Sequence, residues 1–374
     1  MQSNRDQLQK QARNAWYKNG CRGTIATGVG TGKTHIAIGI HNELWFSGLK
    51  ALLVTPTIVL HEVNWKTEYE KAQCEVLYHT LDRACYVSLF KYNPNDYDLI
   101  ILDEAHSISE ANYEEFLRFI NPEKTKVLAL TGTPPKRGQK KDWFDACFPV
   151  VFSSDINSSA DSGIVNEFVV NVLLVDLDNH KKNIAAGSKT KPFMTTERGS
   201  YDYWTRKVET AMYNGTQKDV QWMSLSRKRF LENLESRMTW AKKIRDSFLK
   251  SKKSIIFAPT IEKAKLLCKD AIHSKVNGAQ LLEDFKNDKI KMLSSVRMLN
   301  EGVTLPNLEA GLICKLDSTD KTVFQQIGRL LRNPNGVSQV YIIAYKDTVE
   351  HRYLNQALQS ISKERINYLK PEQL

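Results

Sequence analysis

The stretch Thr24-Ile25-Ala26-Thr27-Gly28-Val29-Gly30-Thr31-Gly32-Lys33-Thr34 constrains this chain more than any other. A short β-prone run leads into a glycine-rich loop, and a helical stretch follows through Ile36, Ala37, Ile40 and Leu44. A strand that passes through a tight glycine turn into an amphipathic helix implies a parallel sheet with helices packed on its faces. Glycine tolerates the backbone conformations that turn successive N–H groups toward one point. Other apolar runs fit the same architecture: residues 51–55, stopped by Pro56, then 98–102 and 126–130. None alternates strictly, as expected of parallel strands covered on both faces. A second series at 254–258, 291–294, 312–316 and 339–344 repeats the pattern. The expected fold class is α/β, with two tandem domains whose parallel sheets are flanked by helices.

A chain of 374 residues is long enough for two such domains. We expect the first at 1–160 and the second at 161–374, the latter including a polar and helical insertion at about 178–250. Residues 5–18 read as a helix, with Leu8, Ala12, Ala15 and Trp16 near helical spacing. The polar stretch 152–163 reads as the end of the first domain or a linker, 178–200 as a loop or small insertion, 201–249 as helical, and 345–374 as a helix with a loose end.

The net charge of +11 suits a phosphate-bearing partner and equally a merely soluble basic protein. No apolar run reaches the roughly 20 residues of a membrane span, and none follows Met1–Asp6, so neither a membrane segment nor a secretory leader is expected. The six cysteines are scattered without a Cys-x-x-Cys pair, which points to reduced thiols in a cytosolic-type compartment and to no zinc site.

The loop ending Gly32-Lys33-Thr34 has the context of a phosphate-binding P-loop. Lys33 is placed to reach the β- and γ-phosphates, and Thr34 to ligate Mg²⁺. Thr27 stands where the general pattern has glycine. Directly after the run 98–102 comes Asp103-Glu104-Ala105-His106. Ligands of open α/β sheets gather at the carboxyl ends of strands. Asp103 is therefore a metal candidate and Glu104 a candidate base for an attacking water. Two acids that merely cap a helix are the plain alternative. His106 has no second ligand at metal spacing and is better suited to coupling the site to its neighbour.

Asp103-Glu104-Ala105-His106 resembles the DEAH box, motif II of superfamily 2 helicases, and Thr27–Thr34 resembles their motif I. The resemblance implies two recA-like P-loop domains, ATP and Mg²⁺, with Gly28, Gly30, Thr31, Gly32, Lys33 and Thr34 around the nucleotide. Gln11 resembles the upstream glutamine that reads the adenine edge, with Gln7 and Gln9 as competitors. Thr55-Pro56-Thr57 resembles part of motif Ia, which touches the nucleic-acid backbone. Thr131-Gly132-Thr133-Pro134 resembles motif III, where Thr131 and Thr133 would couple hydrolysis to the track. Thr260 follows a motif IV-like strand, and Gly302 and Thr304 lie in a motif V-like segment. Gln325-Gln326-Ile327-Gly328-Arg329-Leu330-Leu331-Arg332 resembles motif VI. It implies that Arg332 is an arginine finger, that Arg329 meets the γ-phosphate and that Gln325 organises the interface.

The implied activity is ATP-driven movement along DNA. Closure of the cleft between the domains would bring the arginines to the phosphates. Single-stranded or branched DNA is the expected track, with duplex DNA and RNA as alternatives, and translocation without unwinding remains open. The lean layout looks most like small phage and bacterial DNA repair or recombination helicases. That implies a cytoplasmic monomer, with any specificity supplied by a protein partner. A restriction-type translocase subunit, a clamp-loader-like P-loop ATPase and a simple nucleic-acid-binding module are rival classes. The basic loops at Lys136, Arg137, Lys140 and Lys141 and at Lys181, Lys182, Lys189 and Lys191 could contact nucleic acid or be solvated surface.

Overall fold

A computed structural model describes residues 3–374 except 29, 46–47, 136–137, 189, 274–277, 297–304, 306, 318–322, 324–325, 329 and 331–335. The chain divides into two compact units, with the division between Glu167 and Phe168.

The first unit opens with helix α1, Asn4–Lys18, started by a capping box between Ser3 and Asp6. Leu8, Ala12 and Trp16 form its buried stripe, and the Trp16 indole donates to the Val127 carbonyl at 2.9 Å. The sheet comprises β1 (Arg22–Thr27), β2 (Ala51–Thr55), β3 (Leu81–Cys85), β4 (Leu99–Leu102), β5 (Lys126–Thr131) and β6 (Val150–Ser154). Their spatial order is β3-β2-β4-β5-β1-β6, and every pairing is parallel. Alternate residues of β2 and β4 feed opposite faces: Leu53 and Ile101 join the core under α1 and helix α2 (Lys33–Trp45), whereas Leu52, Val54, Ile100 and Leu102 join the other. Both faces are thus dry, which is why the strands read as continuous apolar runs.

The polar stretch lies at the end of the first unit as a strand and a helix, and one further strand carries no apolar run. Residues 152–154 complete β6, and the rest of the polar stretch forms the helix Ile156–Asp161 capped by the Asp155 side chain. The polar composition reflects an edge strand and a capped helix at the surface. β3 carries Asp82 and Arg83 at its centre, as an edge strand can, and so escapes an apolar-run reading.

The second unit has a seven-stranded sheet in the order β11-β12-β10-β13-β14-β7-β15, again wholly parallel. Its strands are β7 (Phe168–Val175), β10 (Ser254–Phe257), β11 (Ala271–Ile272), β12 (Met292–Ser295), β13 (Ala310–Ile313), β14 (Ser338–Tyr345) and β15 (Ile366–Leu369). The tail therefore supplies an edge strand, β15, where the sequence suggested only a loose end. Between β7 and β10 come an antiparallel pair, β8 (Ile184–Ser188) with β9 (Lys191–Thr195), and the helices Glu197–Asn214, Gln217–Asn233 and Glu235–Ile244. Arg237 and Glu350 are wholly buried in this unit and pair at 2.5 Å. The Arg237 guanidinium also donates to the carbonyls of Leu231, Cys314 and Ile343. Among the described residues no helix is long and apolar enough to cross a membrane, and all six cysteines are free thiols.

Candidate nucleotide site

β1 and α2 hold the glycine loop as the sequence implies. Gly30 and Gly32 take φ of +88° and +92°, in the left-handed region where a side chain is strained. A Cβ on Gly32 would also lie 2.3 Å from Gln9 Nε2. The Thr31 hydroxyl is buried and bonded to Thr27 Oγ1 at 2.9 Å and to the Gly28 carbonyl at 2.8 Å. This explains Thr27 in place of glycine: its hydroxyl staples the far side of the loop. Lys33 Nζ donates to the Thr27 carbonyl at 3.2 Å, and Thr34 follows on the first turn of α2.

The glutamine that touches this loop is Gln9, whose Nε2 donates to the Thr31 carbonyl at 3.3 Å. Gln11, the residue favoured from sequence, is exposed and lies with Gln7 on the wall of an open cleft of about 790 Å³. Ala26, Gly132, Pro134, Ser154 and Asp155 contribute to the same cleft.

β4 delivers the acids. Asp103 is buried: its Oδ2 accepts from the Trp65 indole at 2.8 Å and its Oδ1 from the Glu104 amide at 2.9 Å. The Tyr86 hydroxyl donates to the Asp103 carbonyl at 2.9 Å. Burial, then the charge of Glu104, raises the Asp103 pKa above the usual carboxylate range, while the Trp65 bond and the Lys33 ammonium oppose that rise. Glu104 sits at φ 47°, ψ 49°, a left-handed conformation unusual for a residue other than glycine. Strain of this kind collects where geometry serves a site.

The acids connect onward through His106. Its Nδ1 lies 2.8 Å from Thr131 Oγ1 and 3.3 Å from Glu104 Oε2, and the Thr133 amide donates to the same threonine oxygen at 3.1 Å. Lys140 Nζ donates to the His106 carbonyl at 2.8 Å and also to that of Ile108, so this lysine clips the turn together. Lys141 pairs with Asp145. Gly132 needs no special backbone; a Cβ there would meet the Thr27 carbonyl at 3.4 Å and Lys33 Nζ at 3.6 Å, ordinary contacts.

The residues present fit a magnesium–nucleotide complex. A loop locked by glycine geometry, a lysine ammonium and a helix start would suit an anionic phosphate, while a buried carboxylate and a threonine are donors of the kind magnesium takes alongside phosphate oxygens and water. Among the described residues no three His, Cys, Asp or Glu side chains form a metal cluster.

The nucleic-acid candidates fare unevenly. Thr55 is fully buried, its hydroxyl bonded to the Thr57 carbonyl at 2.9 Å and to His61 Nδ1 at the same distance. It cannot touch a polymer as placed, which leaves Pro56, half-buried, and Thr57, exposed. Thr260 caps the helix Ile261–Leu267 through the Lys263 amide and stays half-exposed. Gly302, Thr304, Gln325, Arg329 and Arg332 lie outside the described residues, as do Lys136, Arg137 and Lys189.

Two family models match this chain: the helicase conserved C-terminal domain over residues 238–334, and the type III restriction enzyme res subunit over 74–136. The DNA 3'-5' translocase XPB2 of Sulfurisphaera tokodaii is 23% identical over 371 residues, covering 92% of this chain and 82% of the relative. Among solved structures, the Pyrococcus furiosus Hef helicase domain superposes with a TM-score of 0.55 at 15% identity, covering 96% of this chain and 100% of that one. The DNA-bound Type ISP restriction-modification enzyme LlaBIII gives 0.61 at 16% identity, covering 98% of this chain and 31% of that one. The two sheets are those of recA-like domains. Both family models and the full-length relative are of the helicase and translocase kind, so the chain is similar to ATP-hydrolysing superfamily 2 helicases and translocases along most of its length.

Proposed function

We propose that this chain is an ATP-driven DNA motor that moves along single-stranded or branched DNA and separates or remodels strands. The observation that carries the reading is the convergence at the carboxyl ends of β1, β4 and β5 of the locked glycine loop, the buried Asp103 beside a left-handed Glu104, and the His106–Thr131–Thr133 link. Similarity to a named DNA translocase over most of the chain supports DNA as the track.

Lys33 and the loop amides bind and orient the triphosphate, with the nucleoside in the cleft beside Gln11 and Gln9 steadying the loop. Magnesium, held by Thr34 and Asp103, would neutralise phosphate charge. Glu104 takes the proton of the attacking water. By their motif VI-like setting, Arg329 and Arg332 would be the guanidinium donors that serve phosphoryl transfer. His106 passes the state of Glu104 to Thr131 and Thr133. Pro56, Thr57, Thr260 and Thr304 grip the backbone without reading bases. Dependence of grip on nucleotide state produces directed movement, and action on branched DNA places the enzyme in repair or recombination.

A strand-release assay tests this. A forked duplex and a triplex-forming strand on duplex DNA are each incubated with ATP, with Glu104→Gln as background. Release from the fork supports unwinding; release of the triplex strand alone supports duplex translocation without unwinding. Release of neither, with RNA forks displaced instead, rejects DNA as the track.

A further inference from the structure

The segment after β2 has two unlike sides. Ile58, Val59 and Val63 are 65%, 57% and 56% exposed, an aliphatic surface next to Pro56 and Thr57. Leu60–Trp65 is wound as a π-helix, a rare form often kept at functional sites. Its inward residues are committed: His61 to the Thr55 hydroxyl, and Trp65, only 1% exposed, to Asp103 Oδ2. Apolar burial alone does not require an indole N–H aimed at a carboxylate, and a phenylalanine could fill much of that space.

We propose that Trp65 is a positioning residue for Asp103, and that the π-helix lets a polymer on its outer side bias the metal-binding carboxylate. The inference rests on the reading of Asp103 as a magnesium ligand. An ionised carboxylate offers about four lone-pair sites. The Trp65 and Glu104 N–H groups occupy one site on each oxygen and fix the carboxylate plane, leaving one site per oxygen for a metal or its water. Outer partners of metal ligands typically carry about 10–100-fold in affinity or activity. A shift of the π-helix on polymer binding would change the Trp65 bond directly, with no further residue between the surface segment and the acid.

The test is calorimetric titration of ADP into the full chain over a series of Mg²⁺ concentrations, with and without a single-stranded oligonucleotide. Trp65→Phe keeps an aromatic ring without the N–H, and 3-benzothienylalanine at position 65 keeps the fused-ring shape without it should the phenylalanine variant fail to fold. Both should raise the Mg²⁺ needed for half-maximal tightening about tenfold, leave magnesium-free ADP binding unchanged and remove the oligonucleotide's effect on the Mg²⁺ requirement. An unchanged Mg²⁺ requirement and an unchanged oligonucleotide effect with the benzothienyl analogue overturn the proposal and make Trp65 core packing only. A wild-type protein whose ADP binding ignores Mg²⁺ would instead overturn the reading of the site itself.

Discussion

The two units share an all-parallel winding but use the carboxyl ends of their strands differently. In the first, the ends of β1, β4 and β5 carry a loop with left-handed glycines, a left-handed glutamate and a buried acid short of full neutralisation. In the second, the ends of β13 and β14 are closed by Arg237, whose charge is met by Glu350, two strand-end carbonyls and the Tyr345 ring at 4.8 Å. One set of strand ends keeps charge and strain in reserve for a ligand; at the other a buried arginine and glutamate pair with each other, with Glu350 Oε1 left without a hydrogen-bond partner. The chemistry of a shared fold lies in what is left unsatisfied at the strand ends.

The largest expected effect is at Glu104. Glu104→Gln should lower ATP turnover by about 10²–10⁴-fold, the range of a lost general base, with nucleotide affinity and melting temperature little changed. A melting shift as large as the rate loss would mean that the left-handed turn is structural.

In the second unit the mirror experiment is Arg237→Ala. It strands Glu350 in the core and should cost about 3–5 kcal/mol, read as a lower urea midpoint. A cost below about 1 kcal/mol, as for surface pairs such as Arg118–Glu114, would break the contrast between the units.

Gly32→Ala should cost about 1–2 kcal/mol for the left-handed conformation and weaken nucleotide binding at least about tenfold through the displaced loop. Gly132→Ala adds a Cβ at ordinary contact distance and should stay within about 0.5 kcal/mol of wild type. Equal losses at both would contradict this account, since only Gly32 combines a left-handed backbone with a close neighbour.

The smallest effect separates Thr55 from Thr57. Thr55→Val should cost about 1 kcal/mol of stability from lost buried hydrogen bonds and leave DNA affinity nearly intact. Thr57→Ala should weaken DNA binding a few-fold at constant stability, measured by fluorescence anisotropy. The reverse pattern would restore Thr55 as the contact.

How much of this was legible in the sequence follows from where the constraint lies. The loop through Lys33 and the acids at 103 and 104 declare themselves because chemistry fixes residue types at short spacings. That Gln9 is the glutamine bonded to the loop had a signal in the sequence: Leu8, Ala12 and Trp16 set the buried stripe of α1, and Gln9, in line with Arg13 and Trp16, borders it, whereas Gln7 and Gln11 are exposed. The polarity of Asp82 and Arg83 hid β3 because edge strands tolerate charge. Trp65 was invisible as a partner of Asp103, since no local pattern links residues 38 positions apart. The Arg237–Glu350 pair is likewise non-local, and no sequence pattern links its two members.

The most direct test of the central claim is steady-state ATP hydrolysis without polymer and then with single-stranded DNA, duplex DNA, branched DNA and single-stranded RNA, corrected by the Glu104→Gln rate. The account predicts low basal turnover and strong stimulation by a DNA form, with single-stranded or branched DNA foremost. Equal rates with and without every polymer would contradict it, because the residues assigned to grip would then have no hold on the cycle.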